Sequence, residues 1–106
     1  MNFQDYQEIS GRTAADPETH GMSVAAYAMG LAGEAGELVD LLKKDLFQGQ
    51  PATFHEIESE AGDVLWYLAN LCRVNGIDLQ RVAENNLVKL QKRYPNGFVK
   101  GGGIRE

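Results

Sequence analysis

The sequence predicts an all-α protein, a bundle of four helices that assembles into oligomers. Apolar residues recur at spacings of three and four along four separate segments, which is the period of an amphipathic helix. Residues typical of helix ends bound these segments, and the connections between them are short, which favours a bundle. The 106 residues suffice for one domain. We place this domain at 1–98 and expect a flexible glycine-rich tail at 99–106.

The first helix is predicted from Phe3, Tyr6 and Ile9, which share one helical face. It should end near residues 11–15. Residues 16–21 then have the turn chemistry of a loop, because the proline within them disfavours a continuing helix.

The second helix should begin after Ser23 as its N-cap and run to about Gln48, where Gly49 provides a stop signal. Its broad apolar face consists of Met29, Leu31, Ala32, Ala35, Leu38, Val39, Leu41, Leu42, Leu46 and Phe47.

The third and fourth helices also have clear end signals. Thr53 and Glu56 match a capping box at the start of the third helix, which should end at Gly76 and its preceding asparagine. Asp78 can cap the fourth helix, which should close before Pro95.

Composition excludes several classes of function. The net charge of -5 argues against nucleic acid as a partner, although a polyanionic small molecule fits if a cation mediates. Cys72 is the only cysteine, so no internal disulfide can form and a reducing compartment is expected. The N-terminus lacks a signal-peptide pattern, and no apolar run approaches the roughly 20 residues of a membrane span. We therefore expect a cytoplasmic protein without membrane contact.

Two tetrapeptides repeat one pattern of carboxylate, alanine, glycine, carboxylate. They are residues 34–37 in the second helix and residues 60–63 in the third helix. Residues three apart lie on one side of a helix, so each tetrapeptide projects two acids in one direction. Two such helices packed antiparallel bring together four acids, which we call the carboxylate quartet: Glu34, Glu37, Glu60 and Asp63.

Most acids in helices belong to solvated faces, but the quartet lacks the usual signs of such a face. A solvated acid is often followed four residues later by a lysine or arginine. The positions four residues after the quartet hold Leu38, Leu41, Val64 and Tyr67 instead. The quartet is therefore embedded in the apolar stripe.

Glycines inside the predicted helices break a second rule. Each costs about 0.5 to 1 kcal/mol relative to alanine in a helix interior. Close helix packing through small residues explains them, and so does space left beside the acids for a ligand; both explanations stay open. These glycines are Gly30, Gly33, Gly36 and Gly62.

Four carboxylates at a half-buried site require a cation, because their mutual repulsion and desolvation are otherwise unfavourable. All-oxygen ligands suit magnesium, manganese or calcium, and magnesium is often shared with substrate phosphates. Zinc is disfavoured because the quartet contains no His or Cys. A di-iron site is disfavoured because neither His20 nor His55 forms a Glu-x-x-His pair.

The sequence resembles the MazG-like family of all-helical nucleoside triphosphate pyrophosphohydrolases. That family's signature is Glu-x-x-Glu, a spacer, then Glu-x-x-Asp, and here 22 residues separate the two halves of the quartet. The resemblance also runs through residues 31–38, residues 62–68 and the segment from Asn86 to Pro95. It implies magnesium-dependent hydrolysis between the α and β phosphates, giving a nucleoside monophosphate and pyrophosphate, with manganese as a substitute metal.

The resemblance also implies roles for individual residues. The quartet holds the metal between the second and third helices, and Glu34 and Glu37 are candidates to take a proton from the attacking water. Asn86, Lys89 and Arg93 share one helical face and form a clamp on the phosphates.

Three other residues are substrate-binding candidates. Tyr67 lies one turn after Asp63 and points the same way as the acids. Trp66 either packs in the core or stacks on a base, and Lys44 is a further phosphate ligand unless it is only solvated.

Several alternatives remain at this stage. A non-catalytic helical interaction module, with an acidic and metal-binding face, predicts no turnover. The related phosphoribosyl-ATP pyrophosphohydrolases and a regulatory protein that only binds nucleotides are two others. A short chain with apolar faces beyond its own core predicts a homodimer or homotetramer, and house-cleaning or general control of nucleotide pools are both plausible roles.

Overall fold

The computed structural model describes residues 1–98 and residue 100, and this part of the chain contains four α-helices and no β-strand. The helices are α1 at Phe3–Gly11, α2 at His20–Gln48, α3 at Phe54–Val74 and α4 at Leu79–Arg93. The predicted all-α class is therefore confirmed. The predicted glycine-rich tail, except for Lys100, lies outside the described residues.

Most of the predicted helix ends are correct because they depend on local chemistry. Thr53 accepts a hydrogen bond from the Glu56 amide at 3.1 Å, and the Glu56 carboxylate accepts one from the Thr53 amide at 3.1 Å. Gly49 ends α2 in the left-handed region, with φ of 63°. Asp78 caps α4 by accepting a hydrogen bond from the Gln80 amide at 2.9 Å.

The predicted start of α2 is wrong. Its N-cap is Thr19 rather than Ser23, and the Thr19 hydroxyl accepts a hydrogen bond from the Met22 amide at 3.2 Å. Ser23 is buried within the first turns, and its hydroxyl donates to the carbonyl of Pro17 at 3.4 Å. Thr19 and Ser23 both carry a hydroxyl that can cap a helix. The start at Thr19 adds a turn to α2, and the Ser23 hydroxyl bonds back to the loop instead.

The four helices do not all surround one core. α2 and α3 pack along their length as an antiparallel pair, α1 packs on α3, and α4 contacts α1 and α3. A buried cluster of Ala69, Cys72 and Leu79 lies where α1, α3 and the start of α4 meet. Tyr6 and two leucines of α3 pack against this cluster.

Gln7 of α1 ties these three helices together. Its amide nitrogen donates to the carbonyls of Ala69 at 3.1 Å and Ile77 at 2.8 Å, and its amide oxygen accepts from the Leu79 backbone at 3.1 Å. Gln7 is only 8% exposed, so unmade hydrogen bonds here would be expensive. The start of α4 is thereby fixed to α1.

Beyond its first turns, α4 extends away from the rest of its own chain. Within the described residues α4 makes no contact with α2. The radius of gyration is 16.7 Å, whereas a compact chain of this length has about 13 Å. Large apolar side chains remain exposed along α4, namely Val82, Leu87, Val88 and Leu90. None of the described helices combines the length and the apolar character needed to span a bilayer.

Candidate metal centre

Gly30 of α2 lies against the ring of Tyr67 of α3. A Cβ atom on Gly30 would lie 2.7 Å from Cζ of Tyr67 and still nearer to two other ring carbons. Because the helices are antiparallel, Glu34 lies one turn along α2 from this contact and Asp63 lies one turn back along α3. The other two acids follow another turn away. The approach at Gly30 therefore sets the register of the carboxylate quartet.

Three acids of the quartet converge. Carboxylate oxygens of Glu34, Glu37 and Glu60 all lie within 4.8 Å of one another, close enough for one cation to contact all three. Asp63 is exposed and lies outside this group, although its negative charge still acts on Glu34. The structure thus brings together three of the four predicted ligands.

Two of these acids carry an oxygen that lacks a partner. Oε2 of Glu34 and Oε2 of Glu60 are buried, and neither makes a hydrogen bond within the part of the chain that the structure describes. Burial raises the pKa of Glu34, the neighbouring Glu37 carboxyl raises it further, and the charges of Asp63 and Glu60 act in the same direction. A bound cation would satisfy both oxygens and favour the ionised form.

The donor set selects a hard cation. The converging atoms are all carboxylate oxygens, which suit Mg²⁺, Mn²⁺ or Ca²⁺. Neither histidine nor cysteine takes part in the group, so the arrangement does not match a zinc site. The residues fit the predicted magnesium cofactor.

The helical glycines fall into two kinds. Gly30 is needed because Tyr67 occupies the space of a side chain, so the packing explanation holds at this position. A Cβ on Gly33, Gly36 or Gly62 would meet no atom within 4 Å. These three glycines therefore leave open space beside the acids.

An aromatic cluster lies one turn from the quartet. The rings of Trp66 and Tyr67 meet edge to face with centroids 4.9 Å apart, and Tyr27 of α2 lies 5.8 Å from Trp66 and 6.4 Å from Tyr67. Tyr27 is buried, whereas Trp66 and Tyr67 are half-buried. We call these three rings the aromatic wall.

The predicted phosphate clamp does not meet the quartet within one chain. Asn86 and Lys89 are exposed on α4, and Arg93 is half-buried near the end of that helix. Lys89 lies ten residues beyond the first residue of α4, or about 15 Å along the helix axis. α4 and α2 make no contact among the described residues, so these three side chains are separated from Glu34.

Lys44, the other predicted phosphate ligand, already has a partner. Its ammonium group lies 2.8 Å from the carboxylate of Asp40, one turn earlier in α2. Lys43 pairs with the same carboxylate at 3.5 Å, and both lysines are about half exposed. Lys44 therefore pairs within α2, and its role as a phosphate ligand stays a prediction.

Sequence reasoning missed contacts that α1 and the loop after it make near the site. Tyr6 was assigned only to the apolar face of α1, but burial raises its pKa and the charge of Asp63 raises it further. Asp16 accepts hydrogen bonds from Arg73, 57 residues away, at 2.7 and 3.0 Å. No spacing rule joins residues so far apart. The one available signal was that Asp16 precedes a proline in a loop otherwise poor in apolar residues.

Sequence comparisons show the family to which the chain belongs. The sequence model of the MazG nucleotide pyrophosphohydrolase domain matches residues 22–98, which include the whole quartet. The chain is also similar to the Gene 37 protein of Mycobacterium phage L5, with 34% identity over an alignment 113 residues long, which covers 97% of each chain. No solved structure matches the chain. Since the domain match covers well over half of the sequence, the chain belongs to the MazG nucleotide pyrophosphohydrolase family.

Proposed function

We propose that this protein hydrolyses ribo- or deoxynucleoside triphosphates between the α and β phosphates, releasing a nucleoside monophosphate and pyrophosphate. The observation that carries the proposal is the convergence of Glu34, Glu37 and Glu60, with two buried oxygens that lack partners. Family membership supports the class of reaction, since the matching domain is a nucleotide pyrophosphohydrolase. Control of nucleotide pools or removal of unwanted nucleotides is the role we infer.

Magnesium is the cofactor that we propose, with manganese as a substitute. Glu34, Glu37 and Glu60 would hold it, and Asp63 would join them by a change of its side-chain rotamer. When bound, such an ion neutralises the charge of the triphosphate and of the leaving pyrophosphate. The open space beside the helical glycines supports the proposal, because a triphosphate must reach the acids from solvent.

The protein's own carboxylates have a second task in this proposal. Attack on the α phosphorus needs a group that orients a water molecule and takes its proton. Glu34 and Glu37 are the candidates, because they are neighbours on α2 and their oxygens point into the same group. Tyr67 and Trp66 would contact the sugar or the base from one turn away.

We further propose that the phosphate clamp acts between two copies of the chain, in a homodimer or a homotetramer. Asn86, Lys89 and Arg93 lie on the helix that makes no contact with α2 in the described part of its own chain. The exposed apolar residues of α4 support an assembly, because such a surface is unfavourable in a monomer. Lys44 would add charge near the phosphates. A cytoplasmic location fits both the lone free cysteine and the proposed substrate class.

A metal-dependent turnover assay with three variants tests the proposal. The purified protein is incubated with a panel of nucleoside triphosphates in Mg²⁺ or in EDTA, together with Glu37→Ala, Asp63→Ala and Glu58→Ala. Glu58 is the matched control, since it is an exposed carboxylate on α3 outside the converging group. We expect turnover that requires Mg²⁺, that falls by about a hundredfold or more in the first two variants, and that persists in Glu58→Ala. Absence of turnover in a well-folded parent would favour the non-catalytic binding module.

A further inference from the structure

The loop between α1 and α2 is fastened to α3 at two points. Nε1 of Trp66 donates a hydrogen bond to the hydroxyl of Thr13 at 2.9 Å. Three residues farther along the loop, the carboxylate of Asp16 accepts two hydrogen bonds from Arg73, at 3.0 and 2.7 Å. A paired guanidinium and carboxylate has a defined planar geometry, so it fixes the loop in orientation as well as position.

The second attachment also holds Tyr27. The Tyr27 hydroxyl donates to Asp16 at 2.6 Å, and the Arg73 guanidinium lies 5.9 Å from the centre of the Tyr27 ring. Nε of Arg73 donates to the side-chain oxygen of Asn70 at 2.9 Å, and Asn70 is completely buried. The arginine is therefore held rigidly, and it fixes Asp16 against Tyr27.

Both attached loop residues also bond to members of the aromatic wall. Thr13 bonds to Trp66, and Asp16 bonds to Tyr27, whose rings lie 5.8 Å apart. The third ring, Tyr67, lies edge to face with Trp66 and packs on Gly30. The loop thus bonds to two rings of the wall, and Gly30 contacts the third.

The aromatic wall lies at a distance from the quartet that suits a nucleotide. Tyr67 lies seven residues along α3 from Glu60, and Tyr27 lies seven residues along α2 from Glu34, a rise of about 10 Å in each helix. The base of an extended nucleoside triphosphate lies at a comparable distance from the β phosphorus, because the α phosphate and the sugar stand between them. A base stacks favourably on an aromatic side chain whatever its identity, since every base has a flat π face.

We propose that Thr13 and Asp16 are positioning residues: Thr13 orients Trp66, and Asp16 holds the buried Tyr27 beside it, so that Trp66 and Tyr67, the half-buried rings of the aromatic wall, receive the base of the substrate. This inference rests on the proposed function. It assigns the wall to the base and the quartet to the phosphates, and it gives the α1–α2 loop a part in substrate recognition. Neither loop residue contacts the phosphates.

The bond from Trp66 to Thr13 is suited to orientation more than to stability. It is exposed at the surface, so water can replace it at little free-energy cost. Its loss frees the indole ring, however, because that bond is the one that Trp66 makes through its ring nitrogen. Removing it should alter recognition of the base and leave the fold intact.

Steady-state kinetics of Thr13→Val, Thr13→Ser and Asp16→Asn test the proposal, with Glu18→Gln as the control. Glu18 is an exposed carboxylate of the same loop. We expect Thr13→Val and Asp16→Asn to raise the KM for a nucleoside triphosphate by about threefold to tenfold at unchanged kcat. Inhibition by inorganic triphosphate, which has no base, should stay as in the parent. Thr13→Ser, which keeps the hydroxyl, should restore the parental KM.

Fluorescence supplies a readout that does not depend on turnover. Trp66 is the only tryptophan in the chain, so the emission of the protein reports on this ring. In the parent, a nucleoside triphosphate should change the emission and inorganic triphosphate should not, and Thr13→Val should weaken the response. An unchanged KM and an unchanged response in both Thr13→Val and Asp16→Asn would overturn the positioning role. Equal losses of affinity for nucleotide and inorganic triphosphate would also overturn it, because they indicate general loosening.

The two proposals fail in different ways. If the parent turns over nucleotides and the loop variants behave like the parent, the positioning role alone fails. If the parent turns over no nucleotide, the proposed reaction fails, and the emission of Trp66 still shows whether a base reaches the wall. If the parent neither turns over nor binds a nucleotide, both proposals are overturned.

Discussion

The ring of Tyr67 fills the space that a side chain on Gly30 would need, and this contact joins α2 to α3 one turn away from the acids. A glycine in a helix interior is unfavourable on its own, so its presence here reflects the close approach of the two helices. The same contact fixes Tyr67 within the aromatic wall. Gly30 thus permits the contact between α2 and α3 that sets the register of the acids.

Substitution of the helical glycines should distinguish a glycine that helix packing requires from a glycine that borders open space. Gly30→Ala is expected to lower the free energy of unfolding by about 1 to 3 kcal/mol, because the added methyl group forces the Tyr67 ring away. Gly33→Ala is expected to raise it by about 0.5 to 1 kcal/mol, since nothing lies within 4 Å of the new Cβ. Urea denaturation of both variants measures the difference. Equal stability of the two variants would contradict the close approach.

Glu34→Gln should stabilise the protein when no divalent cation is present. The substitution removes one negative charge from a group of converging carboxylates, whose repulsion and burial raise the pKa of Glu34. Added Mg²⁺ at about a hundred times its Kd should stabilise the parent by about 2.7 kcal/mol and should have little effect on the variant.

Thermal unfolding in EDTA and in Mg²⁺ measures both effects, with Glu58→Gln as the matched control on α3. The control should respond to Mg²⁺ as the parent does. A response of Glu34→Gln to Mg²⁺ as large as that of the parent would show that the cation binds elsewhere.

Asp16 should contribute stability that depends on pH. Hydrogen bonds from Arg73, and secondly from Tyr27, lower the pKa of Asp16 from 3.8 to about 2. A lowered carboxyl pKa stabilises the fold above the ordinary value of 3.8, and this contribution disappears as the pH falls through about 2. Asp16→Asn should therefore be less stable than the parent at neutral pH, and most of this difference should be lost near pH 2.

Urea denaturation of the parent and of Asp16→Asn at a series of pH values checks this dependence. Glu18→Gln is the control, because it removes a carboxylate from the same loop without removing the partner of Arg73. A stability difference for Asp16→Asn that stays constant down to pH 2 would argue against the ion pair with Arg73.

Leu87→Asp should dissociate the proposed oligomer. Leu87 is 65% exposed in the chain, and with Leu90 and Tyr94 it lines an open cavity of about 510 Å³ on α4. Burial of a leucine contributes about 1.5 to 3 kcal/mol, so replacing it by a charge should weaken association at least tenfold. Light scattering after size-exclusion chromatography over a range of concentrations measures the mass. Asn85→Asp is the control, because it adds the same charge at another exposed position of α4 and tests whether the helix tolerates a charge there.

The sequence was sufficient for features that depend on neighbouring residues. Thr53 with Glu56, Asp78 and Gly49 mark helix ends by hydrogen bonds or backbone angles within one turn, and all of them are confirmed. The start of α2 was predicted wrongly at Ser23, because a hydroxyl on either side of the first turn satisfies the same local rule. The convergence of Glu34, Glu37 and Glu60 followed from the repeated tetrapeptides, since two antiparallel helices translate equal spacing into a shared register, whereas Asp63 lies outside the converging group.

The parts that sequence reasoning missed depend on contacts between distant residues. The pairing of Asp16 with Arg73 and the bond from Trp66 to Thr13 join a loop to a helix more than 50 residues away. The direction of α4 is similar, because Gln7 fixes the start of that helix through hydrogen bonds that no periodicity reveals. Whether the phosphate clamp lies near the quartet depends on the direction of α4. That direction depends on packing between helices, which the pattern of residues on one helical face does not reveal.

Identification of the products by ³¹P NMR tests the proposed reaction most directly. The protein is incubated with a nucleoside triphosphate and Mg²⁺, and the spectrum is recorded as the substrate disappears. The proposed function predicts resonances of a nucleoside monophosphate and of pyrophosphate in equal amounts, and no nucleoside diphosphate. Appearance of a nucleoside diphosphate with orthophosphate would contradict it, because the bond between the β and γ phosphates would then be the one that is cleaved.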